Sequence, residues 1–254
     1  MSDNKNIRWS NVWVIGASSG IGLELAKQLS SLCENITVSA RNLNKLEVES
    51  AAFENMRALQ LDITKKDQIK EVASKIGRDY GPIDLVVISS GVWRPSKLPN
   101  LDVEAFCESI DVNYLGVVRV IDAVGPQMVE RQSGQIAIIA SIAGYRGLPN
   151  AAAYAPTKAA LINLAECIYP QFKRTGVDIS VVNPGFVETP MTSVNEFTMP
   201  FIQTPERAAA KIVIGLKRKD YEIAFPKRLT IILKILRILP NRIFFWLVNR
   251  YVLR

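Results

Sequence analysis

Short runs of aliphatic and β-branched residues alternate along the chain with longer segments whose apolar residues recur every three or four positions. Val12-Trp13-Val14-Ile15 precedes an amphipathic stretch from Ile21 to Leu32, Ile36-Thr37-Val38 precedes Leu43 to Ala52, and Ala58-Leu59-Gln60-Leu61 precedes Lys65 to Ile76. The alternation continues through Leu85-Val86-Val87-Ile88, a long segment from Asp102 to Arg131, Ile136-Ala137-Ile138-Ile139, a helix carrying Tyr154 to Phe172, and Ile179-Ser180-Val181-Val182. A helix over Pro205 to Arg218 and a strand over Tyr221 to Phe225 complete the series. This order predicts an α/β fold with a doubly wound, mostly parallel sheet and helices on both faces. The strands are nearly all apolar, as a sheet covered on both sides requires. No linker, repeat or low-complexity stretch interrupts the pattern before residue 226, so residues 1–226 read as one domain and residues 227–254 as an extension.

The extension has its own period. Polar residues recur at Lys227, Thr230, Lys234, Arg237 and Asn241, with isoleucine and leucine between them. This predicts a helix with one cationic stripe and a wide apolar face. Pro240 interrupts it and can open a second helix that concentrates Phe244, Phe245, Trp246, Leu247 and Val248. Two readings stand side by side. A basic amphipathic helix with Trp and Phe reads as an interfacial segment lying on an anionic membrane surface, and interrupting charges argue against a spanning helix. Alternatively, the extension covers the substrate cleft or a neighbouring subunit.

Charge changes the picture once it is located. The 254-residue chain has 31 Lys and Arg against 24 Asp and Glu, net +7, and residues 227–254 contain seven cations and no acid. Residues 1–226 are therefore formally neutral, which removes most of the case for a nucleic-acid partner. The amino terminus, Met1 to Ser10, is polar, and the apolar run after it is only strand-length, so it reads neither as a signal peptide nor as a membrane span. Cys33, Cys107 and Cys167 are widely separated and form no CxxC, which fits reduced thiols of an intracellular protein. The expected location is the cytoplasm, with peripheral contact to a membrane face if the extension is interfacial.

Gly16-Ala17-Ser18-Ser19-Gly20-Ile21-Gly22 follows the first predicted strand and opens the first helix. Glycines there permit a tight turn, and the helix amino terminus offers free N–H groups to a pyrophosphate, which points to a Rossmann-like dinucleotide site. Arg41 lies 19 residues after Gly22, where folds that prefer NAD place an acid on the adenosine ribose, and its neighbour is Ala40. Arg41 can clamp a 2′-phosphate, with Lys45 as a second cation, which favours NADP(H) over NAD(H).

The chain contains no histidine, which excludes histidine-based serine triads and histidine metal sites, and no metal is expected. Tyr154 and Lys158 stand four residues apart, with Ser141 thirteen residues upstream. At helical spacing the ammonium of Lys158 shares a face with the phenol of Tyr154. A nearby cation favours phenolate, so Tyr154 is expected to have a lowered pKa and to act as acid and base.

With Gly16 to Gly22, Asn113, Ser141, Tyr154 and Lys158 in order, the chain resembles the single-domain form of the short-chain dehydrogenase/reductase family over about residues 9 to 225. Asp62 matches a position that contacts adenine in that family, and Asn183-Pro184-Gly185-Phe186-Val187-Glu188-Thr189 resembles the segment at the nicotinamide end. The resemblance implies cofactor contacts from Gly16, Ser18, Ser19, Gly20, Ile21 and Gly22 in the first turn, and from Arg41, Asp62 and Ile63 near the adenosine. It implies further contacts from Ser90, Gly91, Tyr154, Lys158, Pro184, Gly185, Val187 and Thr189. It also implies hydride exchange with a carbonyl or alcohol carbon, in which Tyr154 donates the proton, Ser141 positions the oxygen, Lys158 lowers the tyrosine pKa and holds the ribose, and Asn113 supports a water relay. A homodimer or homotetramer is expected on the same grounds.

Two departures fall beside the cofactor loops. Ile15 stands where the family usually has threonine, and Ile88-Ser89-Ser90-Gly91 where it usually has Asn-Asn-Ala-Gly, which removes side-chain hydrogen bonds that would brace those loops. Met191, Val194, Phe197, Met199, Phe201 and Trp93 offer an apolar cover, so an apolar or lipid-like carbonyl substrate is expected. The alternative, a catalytically silent nucleotide sensor or scaffold of the same fold, has no physical need for an activated phenol.

Overall fold

In a computed structural model of the chain, which describes residues 8–96, 99, 101–194 and 198–253, seven strands form one sheet in the order β3-β2-β1-β4-β5-β6-β7. They are β1 (Trp9–Ile15), β2 (Cys33–Ala40), β3 (Met56–Gln60), β4 (Leu85–Ile88), β5 (Gly134–Ile139), β6 (Val177–Pro184) and β7 (Glu222–Phe225). Every adjacent pair is parallel. The helices between them are α1 (Gly20–Ser30), α2 (Leu43–Ser50), α3 (Lys66–Tyr80), α4 (Val103–Ile110), α5 (Gly116–Glu130), α6 (Ala155–Arg174) and α7 (Pro205–Arg218). Chain order reverses direction across the sheet between β1 and β4, and the crevice at the carboxyl ends of those strands is where such folds bind ligands.

Alternation within each strand divides the interior into two cores. Val12 and Val14 of β1, with Leu85 and Val87 of β4, pack on the side of α1, α2 and α7. Trp13 and Ile15, with Val86 and Ile88, pack on the side of α3, α5 and α6. Successive strand side chains point to opposite faces, so each strand is apolar throughout because both faces are covered. The one polar atom of Trp13 is satisfied by donation from Nε1 to Ser39 Oγ at 3.0 Å.

The long segment expected from Asp102 to Arg131 is two helices joined by a π-helical turn over Asp111–Leu115. The extra residue of that turn re-aims the chain at Asn113, a local distortion that apolar periodicity does not register.

The extension forms the two expected helices between residues 227 and 251, α8 (Lys227–Ile238) and α9 (Asn241–Tyr251). Both pack on the body. Leu233 of α8 belongs to the second core, and Phe244 of α9 is buried. Glu222 of β7 accepts from Tyr145 Oη at 2.6 Å and pairs with Lys234 of α8. The Arg146 guanidinium lies 4.3 Å from the centroid of Phe244 and donates to Asn241 Oδ1 at 2.5 Å.

Candidate active site

The first turn folds back on itself so tightly that two of its glycines are obligatory. Gly16 has φ +86°, and a Cβ there would sit 2.5 Å from the Ser90 backbone nitrogen. A Cβ on Gly22 would sit 2.2 Å from the Gly16 carbonyl oxygen. Ser19 caps α1 with extended backbone and no side-chain hydrogen bond, and the first turn of the helix carries no acid. The amide end of α1 is thus left to an anion.

The departures at Ile15 and Ser89-Ser90 are met by main-chain bonds. Ser89 N donates to Ile15 O at 2.8 Å, and Gly16 N donates to Ser39 O at 2.7 Å. The Ile15 side chain is 1% exposed and packs in the second core. Backbone pairing therefore braces the loops where the side-chain hydrogen bonds are missing.

A cleft of about 260 Å³ runs from this turn across the carboxyl ends of the strands. All but Lys45 of the residues expected to contact the cofactor line it: Gly16, Ser18, Ser19, Gly20, Ile21, Gly22, Arg41, Asp62, Ile63, Ser90, Gly91, Tyr154, Lys158, Pro184, Gly185, Val187 and Thr189. Lys45 does not line it, and its backbone N–H instead donates to the Asn42 cap of α2. Asp62 is held by Thr64, whose N and Oγ1 both donate to its carboxylate. Burial raises the Asp62 carboxyl, but the Thr64 bonds and the charges of Arg41 and Lys65 outweigh it and hold it below the ordinary aspartate value. Ser89 and Met191, expected from sequence only as a loop residue and as apolar cover, also line the cleft, as do Val112 and Thr192, which sequence reading missed. The Thr192 hydroxyl donates to Val187 O at 2.6 Å and accepts from Thr189 N at 3.0 Å, closing that segment.

Tyr154 and Lys158 meet as their spacing predicts, although Tyr154 is the cap that precedes α6 and not a residue within it. Lys158 Nζ lies 5.5 Å from the phenol ring centroid and donates to Ile139 O at 2.9 Å. Ser141 Oγ accepts from Ala143 N at 3.1 Å, which closes a short 3-10 turn, Ile142–Gly144. A side chain at Gly144 would strike the Lys158 backbone at 2.7 Å, so this glycine lets the serine turn approach α6.

The expected lowering of the tyrosine pKa by Lys158 is corrected. Burial pushes the phenol up to about 12, and a hydrogen bond with Ser141 opposes it. Burial also pushes Lys158 down to about 8. Desolvation disfavours whichever form is charged, so two groups buried together shift in opposite directions.

Asn113 lies behind the cleft, fully buried. Its Oδ1 accepts from Val92 N at 2.7 Å, and its Nδ2 donates to Val92 O at 3.0 Å and to Thr157 Oγ1 at 3.3 Å. Thr157 Oγ1 in turn donates to Tyr154 O at 2.7 Å. The π-helical turn thus ties the fourth-strand loop to the backbone of the tyrosine.

A second cavity, about 560 Å³, opens beyond Tyr154. Trp93, Ile142, Leu148 and Phe186 wall it on one side, and Leu229 and Leu233 of α8 with Tyr251 and Val252 at the end of α9 wall it on the other. Trp93 meets Tyr154 edge-on, with ring centroids 5.1 Å apart. Of the apolar cover expected from sequence, Met191 and Trp93 line the cavity; Val194 and Phe201 are exposed and do not, Met199 does not either, and Phe197 lies outside the described residues. The carboxyl-terminal extension supplies the wall in their place, so of its two readings the cleft-covering one describes its inward face.

Residues 10–198 match the family model described as short chain dehydrogenase. The chain is 34% identical over 235 residues to an oxidoreductase of Myxococcus xanthus named as uncharacterized, covering 91% of this chain and 93% of that protein. It is 32% identical over 217 residues to the 3-oxoacyl-(acyl-carrier-protein) reductase of Thermotoga maritima, covering 83% and 85%. Among solved structures, a variant of actinorhodin polyketide ketoreductase with NADPH superposes with TM-score 0.75 at 26% identity, covering 85% of this chain and 94% of that one.

Proposed function

The chain belongs to the short-chain dehydrogenase family and is an NAD(P)-dependent oxidoreductase of carbonyl and alcohol groups; from that premise we propose that it reduces apolar, lipid-like carbonyl compounds with NADPH, using Tyr154 as the proton donor. The observation that carries this reading is the joint between the two cavities. Ser141, Tyr154, Gly185, Met191 and Thr192 line both, so a carbonyl in the larger cavity meets the cleft at the phenol.

The cleft's own chemistry fits a dinucleotide: an uncapped amide end at α1, a carboxylate held ionised at Asp62, and an exposed cation at Arg41. The cleft residues from Gly16 to Gly22, with Arg41, Asp62 and Lys158, would hold a nicotinamide dinucleotide, which when bound would supply a hydride for the carbonyl carbon. Tyr154, kept protonated by burial, donates its proton to the carbonyl oxygen, which completes the alcohol. Ser141 hydrogen-bonds the same oxygen and fixes its position. Lys158 sets its ammonium beneath the cleft and favours negative charge on the phenol as the proton leaves. Asn113 supports the resupply of that proton from behind, by holding Thr157 and the Val92 backbone in place.

The cavity that receives the substrate presents mainly aliphatic and aromatic side chains, which favours alkyl or aromatic carbonyls over polar ones. NADPH consumption measured across ketones and aldehydes of increasing alkyl length should show kcat/KM rising with length, by roughly threefold or more per buried methylene at about 0.8 kcal/mol each. Preference for short polar carbonyls would overturn the apolar assignment. For the cofactor, Arg41→Asp should raise KM for NADPH by about 10–100-fold, the worth of one charge-assisted phosphate contact, and leave KM for NADH nearly unchanged. Equal effects on both cofactors would show that Arg41 does not meet a 2′-phosphate. The NADPH in the structure of the actinorhodin polyketide ketoreductase variant is a further support for this preference.

A further inference from the structure

The inward faces of α8 and α9 are accounted for by the body and the cavity; their outward faces are not. Leu229, Thr230, Leu233 and Leu236 turn inward on α8. The isoleucines between them turn out: Ile231 is 57% exposed, Ile235 52% and Ile238 80%, at positions i, i+4 and i+7 of one helical face. On α9, Phe245 and Trp246 are 57% and 60% exposed. Lys227, Arg228, Arg242 and Arg250 stand exposed along the same two helices, where there is no acid to answer them.

We propose that α8 and α9 lie on an anionic lipid surface and hold the rim of the substrate cavity at that interface. The apolar side chains and the cations occur together on one pair of short helices, the combination that partitions into the headgroup region of an anionic leaflet. Among the described residues no helix is long and apolar enough to cross a membrane, so the contact is peripheral. A second copy of the chain is the other candidate for covering such a face, and charge argues against it. A face-to-face pair would oppose Lys227, Arg228, Arg242 and Arg250 of one copy to the same four cations of the other, and residues 1–226 are formally neutral and offer no compensating field.

The rim connects this surface to the chemistry. Tyr251 and Val252 line the cavity while remaining 69% and 54% exposed, so they stand at its mouth, next to the lipid-facing side chains of α9. A lipid-like ketone would then pass from the bilayer to Tyr154 without crossing bulk water. This last step rests on the proposed carbonyl reduction; the docking does not.

The test is co-sedimentation of the full chain with vesicles of phosphatidylcholine alone and of phosphatidylcholine with phosphatidylglycerol, at low and high salt. Binding should require the anionic lipid and weaken at high salt. Arg242→Gln with Arg250→Gln should reduce partitioning by about tenfold or more, at about 1 kcal/mol per cation. Ile238→Ser with Trp246→Ser should reduce it similarly, and neither pair should alter the circular dichroism of the folded chain. Protein that stays in solution with anionic vesicles, or binds both vesicle types equally, overturns the inference. So does a variant that changes the sedimenting mass of the protein but not its vesicle binding, since that assigns the face to self-association. In a second arm, a long-chain ketone carried in anionic vesicles should be reduced faster by the natural chain than by the arginine variants, and a short soluble ketone at equal rates by both. Absence of turnover on either ketone would count against the reductase reading alone, because sedimentation still reports the docking.

Discussion

Tyr154→Phe is expected to lower kcat for carbonyl reduction by about 10²–10⁴-fold, the usual worth of a positioned general acid. The loss should fall on kcat and leave NADPH affinity intact, because the phenol oxygen is the only group removed. The ring keeps its edge contact with Trp93 at 5.1 Å, and the backbone keeps the hydrogen bond from Thr157 Oγ1 to Tyr154 O. Single-turnover kinetics with a ketone, beside a fluorescence titration with NADPH, separates the two quantities. Turnover within tenfold of the natural enzyme would remove Tyr154 from the proton-transfer role. Loss of NADPH affinity in proportion to activity would make it a structural residue of the cleft.

Lys158→Met should divide activity from stability. Lys158 is 3% exposed, its ammonium donates only to Ile139 O among the described residues, and burial depresses its pKa from 10.5 to about 8. A folded pKa below the unfolded one means that below about pH 8 the folded state carries a desolvated charge that the unfolded state hydrates. That penalty is relieved as pH rises from about 8 to 10.5, where the unfolded chain binds more protons than the folded one. Methionine has similar length and no charge, so the variant should be more stable at pH 7 by about 1–2 kcal/mol, after about 1 kcal/mol for the lost hydrogen bond is set against the relief. Its advantage should shrink as pH rises through that window. Activity should fall by about 10²-fold or more, because the favourable field on the phenol is gone. Urea unfolding at pH 7 and pH 10, compared with NADPH consumption, reads both. A variant less stable than the natural protein at pH 7 would show that the buried ammonium is a net support of the fold.

The parts of this site that are legible in the sequence are those fixed by local spacing. Gly16 to Gly22 join the end of a strand to the first turn of a helix, and the four-residue interval from Tyr154 to Lys158 survives even though the helix begins one residue later than the phenol. The strand series was equally readable, because a sheet covered on both faces leaves unbroken apolar runs. What the sequence does not carry is anything decided by distant burial. The direction of the Tyr154 shift depends on how much solvent is excluded around the pair, and a helix-face argument sees only the neighbouring charge. The π-helical turn at Asn113 breaks the periodicity on which helix reading depends. Val194 and Phe201 look as suitable for a pocket as Leu229 and Leu233, and only packing distinguishes them. The same holds for the extension, where isoleucine and leucine are equivalent in pattern, yet the leucines face the body and isoleucines 231, 235 and 238 face outward.

The cleft and the cavity also differ in where along the chain they are completed. Every wall of the cleft is in place by Thr192, whereas the cavity waits for Leu229, Leu233, Tyr251 and Val252, which follow the last strand. As chains fold from the amino end during synthesis, the ability to hold a nucleotide is assembled before the ability to choose a substrate. The same order places part of the cavity wall in a segment that follows the last strand of the sheet, so relatives that diverge only after β7 should share a cofactor and differ in what they reduce.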